Sequence, residues 1–214
     1  MGATLVAGCS GGSTGPDAAG SGQLPPTSGA MAELAQGVVA EVNRVRTDPQ
    51  GYANYLESLL PYYDGTVLRV PGETPLQTRE GRPAAEEAIR VLRGQARLPA
   101  LTWSDGMARS AYDHVLDLGP RGMTGHIGSD GSTPSDRVNR YGTWVGYVSE
   151  NVDFGPDRAL LVVRDFVIDD AVPDRGHRRN ILDGSIRVAG AACGAHAQYR
   201  TMCVVDHAAG YVPR

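Results

Sequence analysis

The sequence contains no lysine, and all 20 of its basic residues are arginine. They are outnumbered by 24 acidic residues, which gives a net charge of -4. A negative balance without a lysine-rich run argues against general nucleic-acid binding. No apolar run approaches the length of a membrane-spanning helix. Aromatic residues are only 6% of the chain, but the hydrophobic fraction of 41% is ordinary for a soluble globular protein.

Residues 1–30 differ from the rest of the chain because they are small, polar and rich in glycine and serine. They cannot bury enough apolar surface to fold, so we predict a disordered tether before one domain over residues 31–214. The segment LVAGC, which ends at Cys9, resembles a bacterial lipobox, whose cysteine is lipidated and tethers the protein to a membrane. Only eight residues precede Cys9 and none of them is basic. A plain disordered tail is therefore the alternative.

Hydrophobic periodicity predicts helices in the first part of the domain and strands near its end. One helical stripe is formed by Leu34, Val38, Val42 and Val45, and another by Met107, Ala111, Val115 and Leu118. Residues 61–82 are dominated by proline and glycine and are predicted to be an irregular loop or insertion. Strands are predicted at 144–152, 186–196 and 199–211. The absence of regular βαβ units favours an α+β fold, with helices packed on an antiparallel sheet.

Cys193 and Cys203 lie in the two last predicted strands. A short hairpin between these strands would bring the two cysteines within bonding distance. The alternative is a pair of free buried thiols, which the cytosol favours. Because the lipobox-like segment indicates export, we predict a disulfide.

Three of the five histidines have a structural interpretation. His114 shares the buried stripe of the second helix and is predicted to be a core residue. His196 falls in the predicted hairpin turn, where a solvated side chain is expected. His207 is predicted to be structural, with a cleft within reach as the alternative.

His126 and His177 differ from the other three because each follows a glycine, which lets the backbone approach closely. Glu150 interrupts a strand of small and apolar residues, and Asp169 and Asp170 end an apolar run. A carboxylate on such a segment is either exposed or paired. These residues are scattered along the chain, so their spacing alone does not define a shared site.

Several segments taken together resemble the CAP (SCP-like) superfamily, which includes cysteine-rich secretory proteins, insect venom antigens, plant pathogenesis-related proteins and bacterial exported proteins. The segments are EVNRVRTDP, LTWSDGMARSAYDH, GHIGSDGSTPSDRVNRYG, SENV, RGHRRNIL and AACGAHAQYRTMCVVDHAAGY. Their order and spacing cover nearly the whole domain. The resemblance implies an α–β–α sandwich with a central, mostly antiparallel sheet and a wide cleft.

The resemblance also implies a tetrad of two histidines and two acids in that cleft. Residue by residue, His126 and His177 match the histidines, and Glu150 matches the acid of a Glu-Asn pair. Asp169 matches the second acid, although the family more often has glutamate there, and Asp170 is the alternative. Phe166 stands where tryptophan is usual, and residues 61–81 have no counterpart in the compact members of the family.

This set of residues leads to three hypotheses of function. Two neutral imidazoles beside carboxylates suit Zn²⁺ or a similar divalent ion. The first hypothesis is an exported, envelope-tethered module that binds such a metal and a small lipid-like or cell-wall-derived ligand. The second is a metal-dependent hydrolase of peptides or cell-wall polymers, in which Glu150 takes a proton from metal-bound water. The third is a structural or interaction domain.

His177 stands among three arginines in the segment DRGHRRNIL. If a helix begins there, the helix dipole and the adjacent arginines both disfavour the imidazolium ion. The sequence thus predicts a neutral imidazole, which is the form that a metal or a proton acceptor requires.

Overall fold

The computed structural model describes residues 29–214, in which helices cover both faces of a β-sheet. The lipobox-like segment, Cys9 and all but the last two residues of the predicted tether lie outside the described residues. The predicted single domain over residues 31–214 stays a prediction. Among the described residues, no helix is both long enough and apolar enough to span a bilayer.

The described residues form seven α-helices, and the two predicted hydrophobic stripes lie in the first and the fourth of them. The helices are α1 (Gly29–Thr47), α2 (Pro49–Leu59), α3 (Arg82–Gly94), α4 (Asp105–Leu118), α5 (Pro134–Val138), α6 (Ala159–Ile168) and α7 (Gly176–Leu182). Asp48 separates α1 from α2 and accepts a hydrogen bond from the amide of Gly51. Ser104 caps α4 in the same way through the amide of Met107.

The main sheet has four strands in the order β4-β6-β7-β5. Its members are β4 (Thr102–Trp103), β5 (Gly142–Phe154), β6 (Val188–His196) and β7 (Arg200–Pro213). Only the short β4 runs parallel to its neighbour, and the other pairs are antiparallel. The prediction of an α–β–α sandwich with a mostly antiparallel central sheet is confirmed.

The hydrophobic core lies on both faces of this sheet because side chains alternate along each strand. Val205 of β7 packs into the cluster that includes α1, α2, α3, α6 and α7. Its neighbour Val204 packs on the other face, against α4. Gly190 allows α4 to approach β6 closely, since a Cβ atom there would lie 2.2 Å from the backbone nitrogen of Ala108.

The predicted disulfide is confirmed. Cys193 and Cys203 are directly opposed in β6 and β7, and their sulfur atoms are bonded. The bond closes a loop with a sequence separation of 10 residues. A loop of this size is worth about 3 kcal/mol in the chain-entropy model.

Two local predictions were wrong. Residues 61–82 include a small antiparallel sheet of β1 (Tyr63–Asp64), β2 (Val67–Leu68) and β3 (Leu76–Gln77), with order β1-β2-β3. Gly65 supplies the positive φ that the first turn requires. The second wrong prediction concerns His196, whose side chain is buried rather than solvated. Its Nε2 is hydrogen-bonded to the carbonyl of Met123, and its ring packs on Phe154.

Candidate functional site

The first half of the site joins His126 to Glu150. Glu150 lies on β5 with only 1% of its side chain exposed. Its Oε1 is 2.8 Å from Nδ1 of His126, and its Oε2 accepts a 2.6 Å hydrogen bond from the Arg137 guanidinium. Because an ionised carboxylate only accepts hydrogen bonds, Nδ1 of His126 donates to it, and in the neutral form of the ring Nε2 then carries the lone pair.

The loop that carries His126 is held by buried polar side chains. Nε2 of His114 donates to the carbonyl of Gly125 at 2.9 Å, and burial lowers the pKa of His114. Arg137 also donates to the carbonyls of His126 and Ser132. The core position predicted for His114 therefore has a consequence for the site, because His114 fixes the residue before His126.

The second half of the site repeats this pattern with His177 and Asp169. Nδ1 of His177 lies 2.7 Å from Oδ1 of Asp169, whose Oδ2 accepts the amide hydrogen of Arg178. Asp169 ends α6 in the left-handed conformation, with φ of 58°. Asn151, which follows Glu150 on β5, donates to the carbonyl of His177. The edge strand β5 thus supports both halves of the site.

The arginines around His177 are all paired with acids. Arg175 and Arg178 both pair with Glu87, and Arg179 pairs with Asp174. Each positive charge is therefore compensated by an acid outside the histidine pair. Asp169 is the acid in contact with the imidazole, and the effect of the arginines on the charge of His177 stays a prediction.

Asp170 does not reach the histidines but fastens the insertion at residues 61–81. Its two carboxylate oxygens accept the amide hydrogens of Arg79 and Glu80. Glu80 in turn accepts the amide hydrogen of Ala171 and pairs with Arg175, and these hydrogen bonds lower the pKa of Glu80 to about 2. The three left-handed residues Asp169, Ala171 and Arg175 belong to this turn. The reciprocal bonds therefore hold a strained turn that carries one acid of the site.

The two histidines face each other with ring centroids 6.3 Å apart. Their side chains are 47% exposed for His126 and 22% exposed for His177. The two rings are therefore neighbours at a partly exposed position. In residues 29–214, no group of three or more His, Cys, Asp and Glu side chains is arranged to hold a metal.

The two acids of the tetrad are positioned to orient the histidines. Glu150 and Asp169 each expose 1% of their side chains, and both oxygens of each accept a hydrogen bond. A general base must reach the proton that it removes. The geometry therefore favours a supporting role for Glu150 over the general-base role that the sequence suggested.

A further buried acid, Asp206, lies behind Glu150. The two residues are directly opposed in β7 and β5. Burial raises the pKa of Asp206 well above its ordinary value, and the charge of Glu150 adds to the increase. His207 lies on the opposite face of β7, and burial lowers its pKa to about 3, so its ring is neutral. His207 is fully buried, as the structural interpretation predicted.

Sequence reasoning missed Arg137, Asn151 and Asp206 as supporting residues. A signal for Arg137 was present, because Thr133 and Asp136 form a capping box that starts the short helix α5. The sequence indicated Asn151 only as the second member of the Glu-Asn pair and assigned it no role. Asp206 carried no signal, because an acid in a strand reveals its partner only when the strand pairing is known.

A comparison with known protein families identifies the family of this chain. Residues 86–206 match the model of the CAP family, described as the cysteine-rich secretory protein family. This match covers more than half of the chain, and the protein therefore belongs to the CAP family. No curated protein matches the chain.

Two solved structures are similar to this chain. One is an outer surface protein from Borrelia burgdorferi, with 18% identity and a TM-score of 0.45 over 59% of this chain and 86% of that chain. The other is an extracellular protein containing an SCP domain from Bacillus anthracis str. Ames, with 18% identity and a TM-score of 0.43. That match covers 58% of this chain and 38% of the other. Because both TM-scores are below 0.5, the family assignment rests on the sequence match.

Proposed function

We propose that this protein is an exported CAP-domain binding module whose His126 and His177 together bind a divalent metal such as Zn²⁺. The observation that carries the proposal is the repeated carboxylate–histidine pair. In each pair a buried acid holds Nδ1–H and leaves Nε2 free as a ligand. Metal-binding histidines are commonly oriented in this way by an acid that does not itself bind the metal. The metal would supply a Lewis acid with open positions for a ligand.

The binding role is preferred over the hydrolase because both tetrad acids are buried and fully hydrogen-bonded. A metal held by two histidines keeps open coordination positions, which suit the carbonyl or phosphate group of a small lipid-like or cell-wall-derived ligand. The disulfide between Cys193 and Cys203 supports export, since such bonds persist in oxidising compartments. Envelope tethering through a lipid on Cys9 rests on the LVAGC segment alone.

Calorimetric titration of the metal-free protein with Zn²⁺ tests this proposal. We expect one site per chain in the unaltered protein, and no detectable heat of binding for His126→Ala or His177→Ala. Arg179→Ala is the matched control, because Arg179 is an exposed neighbour of His177 on α7 and forms a surface ion pair with Asp174. Unchanged Zn²⁺ affinity in the histidine variants would contradict the proposal and favour a purely structural tetrad.

A further inference from the structure

Aspartate directly precedes glycine at four positions in the sequence, which are Asp64, Asp105, Asp130 and Asp183. In such a pair the backbone nitrogen of the glycine can attack Cγ of the aspartate, because glycine has no side chain to obstruct the approach. The attack requires the carboxyl group to turn back toward its own backbone. A carboxyl group that is hydrogen-bonded elsewhere must first break that bond, so the partners of the four aspartates determine which pair reacts.

Asp105 and Asp183 are both held by hydrogen bonds to neighbouring groups. Oδ1 of Asp105 accepts the indole hydrogen of Trp103 at 2.8 Å, and Asp105 lies in the first turn of α4. Oδ1 of Asp183 accepts the amide hydrogen of Ser185 at 2.7 Å. Both carboxyl groups are therefore restrained by hydrogen bonds in which the acceptor is charged, and such bonds are stronger than those between neutral groups.

The pair of Asp130 and Gly131 is held through both of its reacting groups. Oδ1 of Asp130 accepts the amide hydrogen of Ser132 at 2.8 Å, and Oδ2 accepts a hydrogen bond from Arg140 at 3.0 Å. The amide of Gly131, whose nitrogen is the nucleophile in this reaction, donates to the carbonyl of Gly128 at 2.9 Å. Reaction at this pair therefore requires several hydrogen bonds to break.

Asp64 differs from the other three because its carboxylate makes no hydrogen bond with the described residues. Its side chain is 80% exposed. Its ion-pair partner is Nε of Arg69 at 3.6 Å, which is beyond hydrogen-bonding distance, and the Arg69 side chain is exposed as well. An exposed pair of this kind restrains a side chain weakly. Asp64 is therefore the aspartate whose carboxyl group is freest to reach the nitrogen of the following glycine.

The turn that follows Asp64 leaves little room for a longer backbone. Asp64 ends β1, and Gly65 and Thr66 form the turn into β2. The Gly65 carbonyl packs on Gly81, where a Cβ atom would lie only 2.7 Å from its oxygen. The Thr66 carbonyl accepts the amide hydrogen of Thr78 at 2.8 Å. An additional backbone atom after Asp64 would displace this turn from the residues that it contacts.

We propose that Asp64 is the residue at which this protein preferentially forms isoaspartate, and that the product loosens the tip of the insertion. The Gly65 nitrogen bonds to Cγ of the protonated Asp64 carboxyl group, and the amide hydrogen leaves with the hydroxyl group as water. A second water molecule opens the succinimide ring by cleaving the bond between the nitrogen and the original carbonyl carbon. The chain then runs through Cβ and Cγ of residue 64, so the backbone is one atom longer and the mass is unchanged. The reaction needs no metal at the histidines.

Peptide mapping of the folded, disulfide-bonded protein after incubation at mildly acidic pH tests the proposal. The endoproteinase Asp-N cleaves before aspartate but not before isoaspartate, and chromatography separates the two isomeric peptides. We expect isoaspartate to accumulate at Asp64 about tenfold or more faster than at the other three aspartates, which must first break a hydrogen bond to a charged group. Equal rates at the four pairs, or a faster rate at one of the other three, would overturn the proposal.

The same mapping on the reduced protein in guanidinium chloride is the control for local sequence. Unfolding removes the hydrogen bonds that distinguish the four pairs, so their rates should become similar. A preference for Asp64 that persists in the unfolded chain would show that the fold is not its source, and would refute the argument from the carboxylate partners.

Hydrogen exchange at the Thr78 amide tests the structural consequence. Exchange should accelerate in the incubated protein, because the longer backbone moves the Thr66 carbonyl away from this amide. Asp64→Glu is the matched control, since it keeps the charge but closes the corresponding larger ring far more slowly, and its exchange rate should stay unchanged after incubation. Unchanged exchange at Thr78 in a sample that carries isoaspartate at residue 64 would refute the loosening of the insertion.

Discussion

Replacing Arg137 by methionine should destabilise the protein severely. Arg137 and Glu150 expose 2% and 1% of their side chains and are joined by a 2.6 Å hydrogen bond. Methionine keeps the length and most of the apolar contact of the arginine stem. It leaves a buried carboxylate without its cation, a loss that typically costs about 3–5 kcal/mol. The carbonyls of Ser132 and His126 lose donors as well.

The loss should be measurable both in guanidinium chloride unfolding and in thermal unfolding. For a chain of this size, each kcal/mol shifts the melting temperature by about 2–4 °C, so we expect a decrease of about 6–20 °C. The matched control is Arg140→Met, since Arg140 pairs with Asp113 and Asp130 at the surface. Exposed pairs of this kind contribute about 0–1 kcal/mol.

The double variant Arg137→Met, Glu150→Gln separates the ion pair from other losses. Glutamine removes the buried negative charge, so the double variant should be more stable than Arg137→Met alone by about 2 kcal/mol or more. Additive effects of the two substitutions would refute the reasoning. So would an effect of Arg137→Met no larger than that of Arg140→Met.

Two further predictions concern the acids behind and beside the site. Because the pKa of Asp206 is raised in the folded state, the folded protein binds more protons than the unfolded chain above about pH 4, and stability falls as pH rises toward the folded pKa. Asp206→Asn should therefore match the unaltered protein near pH 4 and exceed its free energy of unfolding at pH 7–8; an equal pH dependence of the two proteins would contradict this. Asp170→Ala removes the acceptor for the amides of Arg79 and Glu80, so hydrogen exchange at these two amides should accelerate. The control is Asp64→Ala, at the exposed turn of the same insertion, which should leave their exchange rates unchanged. Unchanged exchange in Asp170→Ala would show that the insertion is held by other contacts.

The sequence predicts well those features that depend on local pattern. The stripes from Leu34 to Val45 and from Met107 to Leu118 give α1 and α4 because periodicity acts over a few residues. The pairing of Cys193 with Cys203 followed from two adjacent strands and a short turn. The resemblance predicted that His126 and His177 share one site. Their ring centroids lie 6.3 Å apart, although the two residues are 51 positions apart in the sequence (177 minus 126).

The features that escaped prediction depend on long-range pairing. Asp170 binds residues about 90 positions away in the insertion, and Glu87 reaches Arg178 over a similar distance. No periodicity encodes such contacts, because charged side chains at a loop look alike whether they meet water or each other. The opposition of Asp206 and Glu150 required the register of β5 and β7, which the sequence of neither strand specifies by itself.

The absence of lysine has a structural counterpart in the buried arginines. Arg46 donates to four backbone carbonyls, of Pro99, Ile181, Asp183 and Ile186, and so joins α1 to the end of α7 and to the segments that flank β4 and β6. Arg137 binds one carboxylate and two carbonyls around His126. A guanidinium can satisfy several fixed acceptors at once because its donors are planar and point in different directions, whereas an ammonium group is a compact and strongly hydrated charge. Replacement of either arginine by lysine would leave buried carbonyls without donors, so in these buried positions the planar fork matters as much as the charge.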